Sequence, residues 1–263
     1  RWSTPPSRRR ERRGGPHGGR RRRRPPPAPA ADLALIAAPT LADAVTTRRL
    51  LKDIAADAGR PAEELKVIAP VLPVVADSDA GAHRIVRRLL ELVPLAEGVQ
   101  PDRVAFPPNR TVDSLADALE VAADDPLRAA AFDAPVTAAE ALRLGERGAA
   151  LVERLARIAG LAVGAEAAVT WRHLVAAHAV PAAFVVGDAG TIADHFESWR
   201  DAGAADGFNV LSAFQPAQFE AFTRLAAPEL RRRGLLRAAE EAGKDGRRET
   251  LRDRLRVTSR VGA

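Results

Sequence analysis

Residues 182–214 read AAFVVGDAGTIADHFESWRDAGAADGFNVLSAF, and the fold is decided there. The apolar run Phe184-Val185-Val186 stops at Gly187-Asp188. Asp188 and Thr191 carry side-chain oxygens that suit the unpaired N–H groups of a helix start. Ile192, Phe196 and Trp199 follow at i, i+4 and i+7, which places them on one helix face. Gly203 supplies a helix stop. Gly207-Phe208-Asn209-Val210-Leu211 then reads as a short buried strand. A strand, an amphipathic helix and a strand with short joints form a βαβ unit whose two strands run parallel.

The same grammar precedes this unit. Residues 31–37 read as a buried strand, and residues 40–58 as a helix capped by Thr40, with Asp43 placed to complete a capping box. Leu41, Ala44, Val45, Leu51 and Ile54 form its apolar side. Residues 65–76 read as a second strand, and Pro70 and Pro73 argue for an irregular or rim position because proline removes a ladder donor. Asp77-Ser78 opens a helix to Val93, with Ile85, Leu89, Leu92 and Val93 as its buried side. Residues 94–181 interrupt the alternation. They read as a proline-containing loop followed by helices over 112–123, 138–161 and 171–179. After the closing unit, residues 218–233 read as a helix with Phe219, Phe222 and Leu225 on one side. Alternating strands and helices define an α/β fold with a helical insertion at about 94–181.

Charge separates the chain into two parts. Residues 1–30 hold eleven Arg and one Glu, about +10, against a net +6 for all 263 residues, which leaves −4 on the rest. The tail has one large apolar residue, Trp2, and no periodicity, so nothing in it offsets the ordering cost of about 1–2 kcal/mol per residue. It reads as a disordered Arg/Pro-rich tail, and residues 257–263 as a flexible end. A nucleic-acid arm is one reading of the tail. An inert tail or the translation of a shifted reading frame in GC-rich DNA is the favoured one, so a nucleic-acid partner is not expected. The chain has no cysteine, which excludes disulfides and thiolate chemistry, and no Met, which suggests a fragment. It has neither a long apolar run nor a signal-peptide pattern, so no membrane partner is expected and a cytoplasmic location is.

GDAGTIADHFESWRDAGAADGFNV resembles the closing βαβ unit of the bacterial luciferase-like flavin monooxygenases, most of all the nitrilotriacetate monooxygenase branch. That branch reads G-[TS]-P-E-x-[IV]-A-D-x-[LF]-x-x-W-x-x-x-G-A-A-D-G-F-N. Gly187, Ile192, Ala193, Asp194, Trp199, residues 203–207, Phe208 and Asn209 match; Asp188-Ala189-Gly190 replaces Thr-Pro-Glu. PELRRRGLLR at 228–237 and ETLRDRL at 249–255 are similar to the segments that follow in the family, and TWRHLVAAHA at 170–179 to its last insertion helix. The resemblance implies the C-terminal half of a luciferase-like TIM (β/α)8 barrel over residues 31–256, with four strands and two exposed sheet edges. It implies reduced FMN as the cofactor, dioxygen and a small organic molecule as substrates, and a flavin reductase as the supplier of FMNH2. A homo-oligomer is compatible with it. It places the flavin against Leu35, Ala37, Ala38, Val186, Gly187 and Asn209, at strand C-termini.

The catalytic residue is not identified by sequence. The five histidines show no metal spacing, and His173 and His178 are five apart, on different helix faces. His178, just before the strand at 183–187, is the candidate for a functional group. His195 reads as a surface or boundary residue beside Phe196. Asp206 begins a strand, and barrel chemistry sits at strand C-termini, so it reads as a turn carboxylate on the stability face. Trp199 and Phe196 read as packing, and Arg231–Arg233 as a solvated helix end. Besides an FMN-dependent monooxygenase, truncated and inactive in one version, three other readings remain: a non-catalytic remnant, a deazaflavin (F420)-dependent oxidoreductase of the same superfamily, and a nucleic-acid binder acting through its tail.

Overall fold

A computed structural model describes residues 31–95, 112–180 and 182–236. The tail read as disordered, the loop read at 100–110, Pro181, the 249–255 segment and the end read as flexible lie outside the described residues. Strand β1 (Leu33–Leu35) leads into helix α1 (Leu41–Asp57), and β2 (Lys66–Val75) into α2 (Asp79–Leu92). The insertion follows as α3 (Val112–Ala118), α4 (Ala138–Arg143), α5 (Gly145–Ala159) and α6 (Trp171–His178). The closing unit is β3 (Ala183–Gly187), α7 (Ala189–Asp201) and β4 (Gly207–Val210). A final helical run comprises α8 (Ala217–Ala221), a π-helical turn (Phe222–Ala226) and α9 (Ala227–Arg232).

The α/β class and the parallel strands agree with the sequence. β2 is the hub, pairing in parallel with β1, β3 and β4. Its backbone groups alternate sideways. Lys66 donates to Asp32 beside β1, Ile68 accepts from Ile36, and Ala76 donates to Gly187 of β3. Val67 and Val71 accept from Asp206 and Leu211 on the β4 side. The even-numbered residues therefore serve β1 and then β3 end to end along one edge, and the odd-numbered ones serve β4 along the other.

This order explains where the helices go. The step from β2 to β3 runs back toward the β1 edge, whereas β1 to β2 and β3 to β4 run the other way. With right-handed crossovers, the reversal sends α2 and the insertion to the opposite face from α1 and α7. One core accordingly joins Val67, Ala69 and Val71 to Ala44, Leu51, Ile192, Phe196 and Trp199. The other joins Val74 to Val86, Leu90, Leu155, Trp171 and Leu174. Leu35 on β1 is 71% exposed and Val210 on β4 is 37% exposed, so apolar side chains remain uncovered on both outer strands.

The prolines of β2 do not make it a rim strand; it is central. Pro70 lies on the even edge, between the Ile36-to-Ile68 bond of β1 and the pairing with β3. Pro73 lies on the odd edge, beyond the last β4 bond at Val71. Each missing N–H falls where one neighbour hands over to the next.

Other local departures have local causes. The helix read over 138–161 is two helices, because Gly145 takes φ +67°. The buried line of α2 is Ala82, Val86 and Leu90, one step round from the expected face, and Leu92 is exposed. Leu41 on α1 is exposed, while Lys52 is buried with its ammonium on the Ala62 and Leu65 carbonyls. In the last helical run Phe219 is exposed and Gln218 is buried. The π turn falls just before Pro228, whose missing N–H interrupts the regular bonding of a helix there. Among the described residues, no helix is long and apolar enough to cross a membrane.

Candidate functional site

The closing unit is held as its sequence demands. Asp188 caps α7 by accepting the Thr191 N–H at 2.9 Å. Phe196 and Trp199 are buried and meet Phe208 of β4 at ring-centroid distances of 4.5 and 6.1 Å. Asp194 accepts from Arg233 at 2.6 Å, and the same guanidinium reaches Glu197 and Glu229. Arg233 thus ties α9 to α7 instead of pointing into solvent as a free helix end.

Asp206 sits where the sequence put it, at the N-terminal end of β4. It bonds Arg48 at 2.7 Å, lies 3.1 Å from the Lys52 ammonium and accepts the Val67 N–H at 2.8 Å. Burial pushes its pKa up, but the bonds from Arg48 and Val67 and the charge of Lys52 outweigh that, and the net direction is down. This is a structural clasp between α1, β2 and β4.

The six positions expected to face a flavin do not form one cradle. Along β2 they stand at different heights: Leu35 opposite Ile68, Asn209 opposite Pro70, Val186 opposite Val74 and Gly187 opposite Val75. Seven residue steps separate the first from the last, about 23 Å of strand. Leu35, Ala37 and Asn209 are exposed and Ala38 is fully buried. The space above Gly187 is filled, since a Cβ there would lie 2.6 Å from Asp79 Oδ1 and from the Thr191 side chain. Asp79 uses that oxygen to accept from the Asp188 N–H and the Thr191 hydroxyl. The described residues of this chain do not by themselves fit an isoalloxazine ring.

His178 lies elsewhere, on a cavity of about 440 Å³ between the start of α1, the insertion helices and α7. Burial lowers its pKa, the Arg154 charge lowers it further, and a hydrogen bond with the Ser114 backbone pulls the other way. His195 shares the cavity wall. Its ring stacks tilted against Trp199 at 5.0 Å, its Nε2 is buried without a hydrogen-bond partner, and burial pushes its pKa down to about 4. It is thus more deeply set than a surface histidine. His173 is apart, accepting the Thr170 N–H on Nδ1 at 3.2 Å at the start of α6.

Arg154 was not singled out by the sequence, although a signal exists. Leu151, Arg154, Leu155 and Ile158 fall at i, i+3, i+4 and i+7 on α5, so the arginine stands inside an apolar stripe, and all four line the cavity. No group of His, Cys, Asp or Glu among the described residues could hold a metal ion.

Known proteins resemble this chain in sequence and in fold. Nitrilotriacetate monooxygenase component A of Aminobacter aminovorans is 30% identical over 230 residues, 87% of this chain and 44% of that protein. A pristinamycin IIA synthase polypeptide of Streptomyces pristinaespiralis is 44% identical over 57 residues, 22% of this chain and 14% of its own length. DmoA from Hyphomicrobium sulfonivorans aligns with a TM-score of 0.52 at 20% identity, covering 80% of this chain and 39% of its own. The long-chain alkane monooxygenase LadA aligns at 0.52 and 14%, covering 89% and 45%. These structural likenesses establish the fold. No protein-family profile matches the sequence. In sequence the chain is similar to nitrilotriacetate monooxygenase component A, and it spans less than half the length of that protein, of DmoA and of LadA.

Proposed function

We propose that the chain serves a monooxygenase that uses reduced FMN and dioxygen to oxygenate a small organic substrate, with FMNH2 delivered by a separate flavin reductase. The match between its closing signature and that of the monooxygenase branch carries this reading. The signature residues Asp194, Trp199 and Phe208 all hold α7 against its neighbours. The name of the relative from Aminobacter, a component A, supports a two-component arrangement. Because Leu35, Ala37, Ala38, Val186, Gly187 and Asn209 do not converge, we assign the flavin site jointly to this chain and to further strands, from another segment or a second copy. Flavin supplies the oxygen chemistry; the protein binds, orients and excludes water.

The dispersal of those six positions also favours a second reading, a scaffold of monooxygenase ancestry that binds no flavin. Equilibrium binding of FMN and FMNH2 separates the two. It is measured on the chain alone and on the chain mixed with the N-terminal half of nitrilotriacetate monooxygenase component A, each with a thermal melt. Saturable binding that raises the melting temperature, in either sample, supports the monooxygenase. Absence of binding at millimolar flavin in both samples overturns it in favour of the scaffold, and binding of F420 in place of FMN redirects it to the deazaflavin enzymes.

A further inference from the structure

Among the described residues that line the cavity beside His178 and His195, only Arg154 is a permanent ion. Burial lowers the pKa of Arg154, and the nearby Arg157 charge acts in the same direction, against Asp43. No hydrogen bond or ion pair among the described residues engages its guanidinium; Asp43 acts on it only from beyond bonding distance. Both histidines on the wall are held toward their neutral forms by burial, so they do not compete with Arg154 for an anion. The remaining wall is mostly apolar, formed by Leu151, Leu155, Ile158, Phe184 and Trp199 among others.

A half-buried guanidinium without a partner is an unstable arrangement unless something supplies the counter-charge. Its planar fork of donors matches a carboxylate in two parallel bonds. One positive charge calls for a monoanion, and the negative field of Asp43 disfavours a dianion. An apolar wall and a volume of about 440 Å³ call for a ligand with a compact hydrophobic body, within the usual size range of small-molecule pockets. We propose that this cavity binds a small amphipathic monocarboxylate, its carboxylate on Arg154 and its apolar body between α5 and Trp199. The site is distinct from the six positions considered for flavin, none of which lines it, and it does not depend on the monooxygenase reading.

The test uses the whole chain and three probes: benzoate, its uncharged isostere benzamide, and inorganic phosphate. Calorimetric titration should show saturable benzoate binding, with benzamide and phosphate weaker by about tenfold or more. Arg154→Leu should weaken benzoate by about tenfold or more while leaving benzamide unchanged, and Arg154→Lys should restore part of the loss. In the unaltered chain, labelled at the indole nitrogens, benzoate should shift the Trp199 resonance and leave that of Trp171 in place. This readout does not depend on any variant folding. Equal affinity for benzoate and benzamide, unchanged benzoate affinity in Arg154→Leu, or a Trp199 resonance unmoved by millimolar benzoate would each overturn the proposal.

Discussion

Gln218 completes the hydrogen bonding of Val75. The Val75 N–H donates to Gln218 Oε1 at 2.9 Å, and Gln218 Nε2 donates back to the Val75 carbonyl at 3.3 Å. Both residues are buried. β4 ends below this level, so the side-chain amide takes the place of the next strand residue. Gln218→Leu leaves an N–H and a carbonyl buried without partners, each worth about 1–3 kcal/mol. We expect a loss of about 2–4 kcal/mol, read in urea as a lower midpoint with an unchanged slope. A loss below about 0.5 kcal/mol would show that water reaches Val75.

Asp206 gives the acid limb of stability. Its pKa is lowered in the folded state, so its contribution is fully present above the unfolded value of about 4 and is lost as pH falls through the folded value. Asp206→Ala strands the Arg48 and Lys52 cations and the Val67 N–H, and should cost about 3–5 kcal/mol at neutral pH. Denaturant midpoints measured from pH 7 downward should fall below about pH 4 in the parent and lose that component in Asp206→Asn.

His195 acts in a different window with the same sign. Its folded pKa of about 4 lies below the unfolded value of about 6.5, so the unfolded chain takes up a proton that the folded chain refuses. Stability therefore falls as pH drops through this interval, by at most about 1.4 kcal/mol per pH unit. A carbon-bound proton of the imidazole, followed by NMR, should titrate well below pH 6. His195→Phe should reduce the slope between pH 6.5 and 4, leaving the share of the other histidines whose pKa burial lowers, without altering the Asp206 limb. An imidazole that titrates normally would show that the ring leaves its place beside Trp199.

What the sequence revealed was mostly local. The caps at Thr40, Ser78 and Asp188 each accept the expected backbone N–H, and the Phe196–Trp199 face is buried as its spacing required. The second arm of the Thr40 box is replaced, since the Thr40 hydroxyl donates to the Asp43 carboxylate. What escaped was set by neighbours distant in sequence. Pro70 and Pro73 argued against a central strand, yet whether a missing N–H matters depends on which strand stands beside it. Lys52 and Gln218 look like surface residues until the carbonyls that receive them are known. That the two strands of the closing unit run parallel was legible, but the insertion of β2 between them was not. That order belongs to the direction of each crossover, which no single segment encodes.

Gly187 links the family signature to this fold. It is the first residue of the closing signature and ends β3, and its missing side chain leaves room for Asp79 and Thr191. Its requirement is steric. The Cβ of Gly187→Ala would meet Asp79 Oδ1 and Thr191 Cβ and Cγ2, each at 2.6 Å, and Asp79 cannot retreat without releasing the Asp188 N–H and the Thr191 hydroxyl. Overpacking of this kind costs about 1–3 kcal/mol. Asp79→Ala alone leaves an exposed N–H that water can reach, so it should cost less. In the double variant Gly187→Ala/Asp79→Ala the alanine has space on the Asp79 side, so the two losses should not add. Thermal melts of the four proteins give the coupling. Strict additivity would mean that the contact with Thr191, and not with Asp79, fixes glycine at this position.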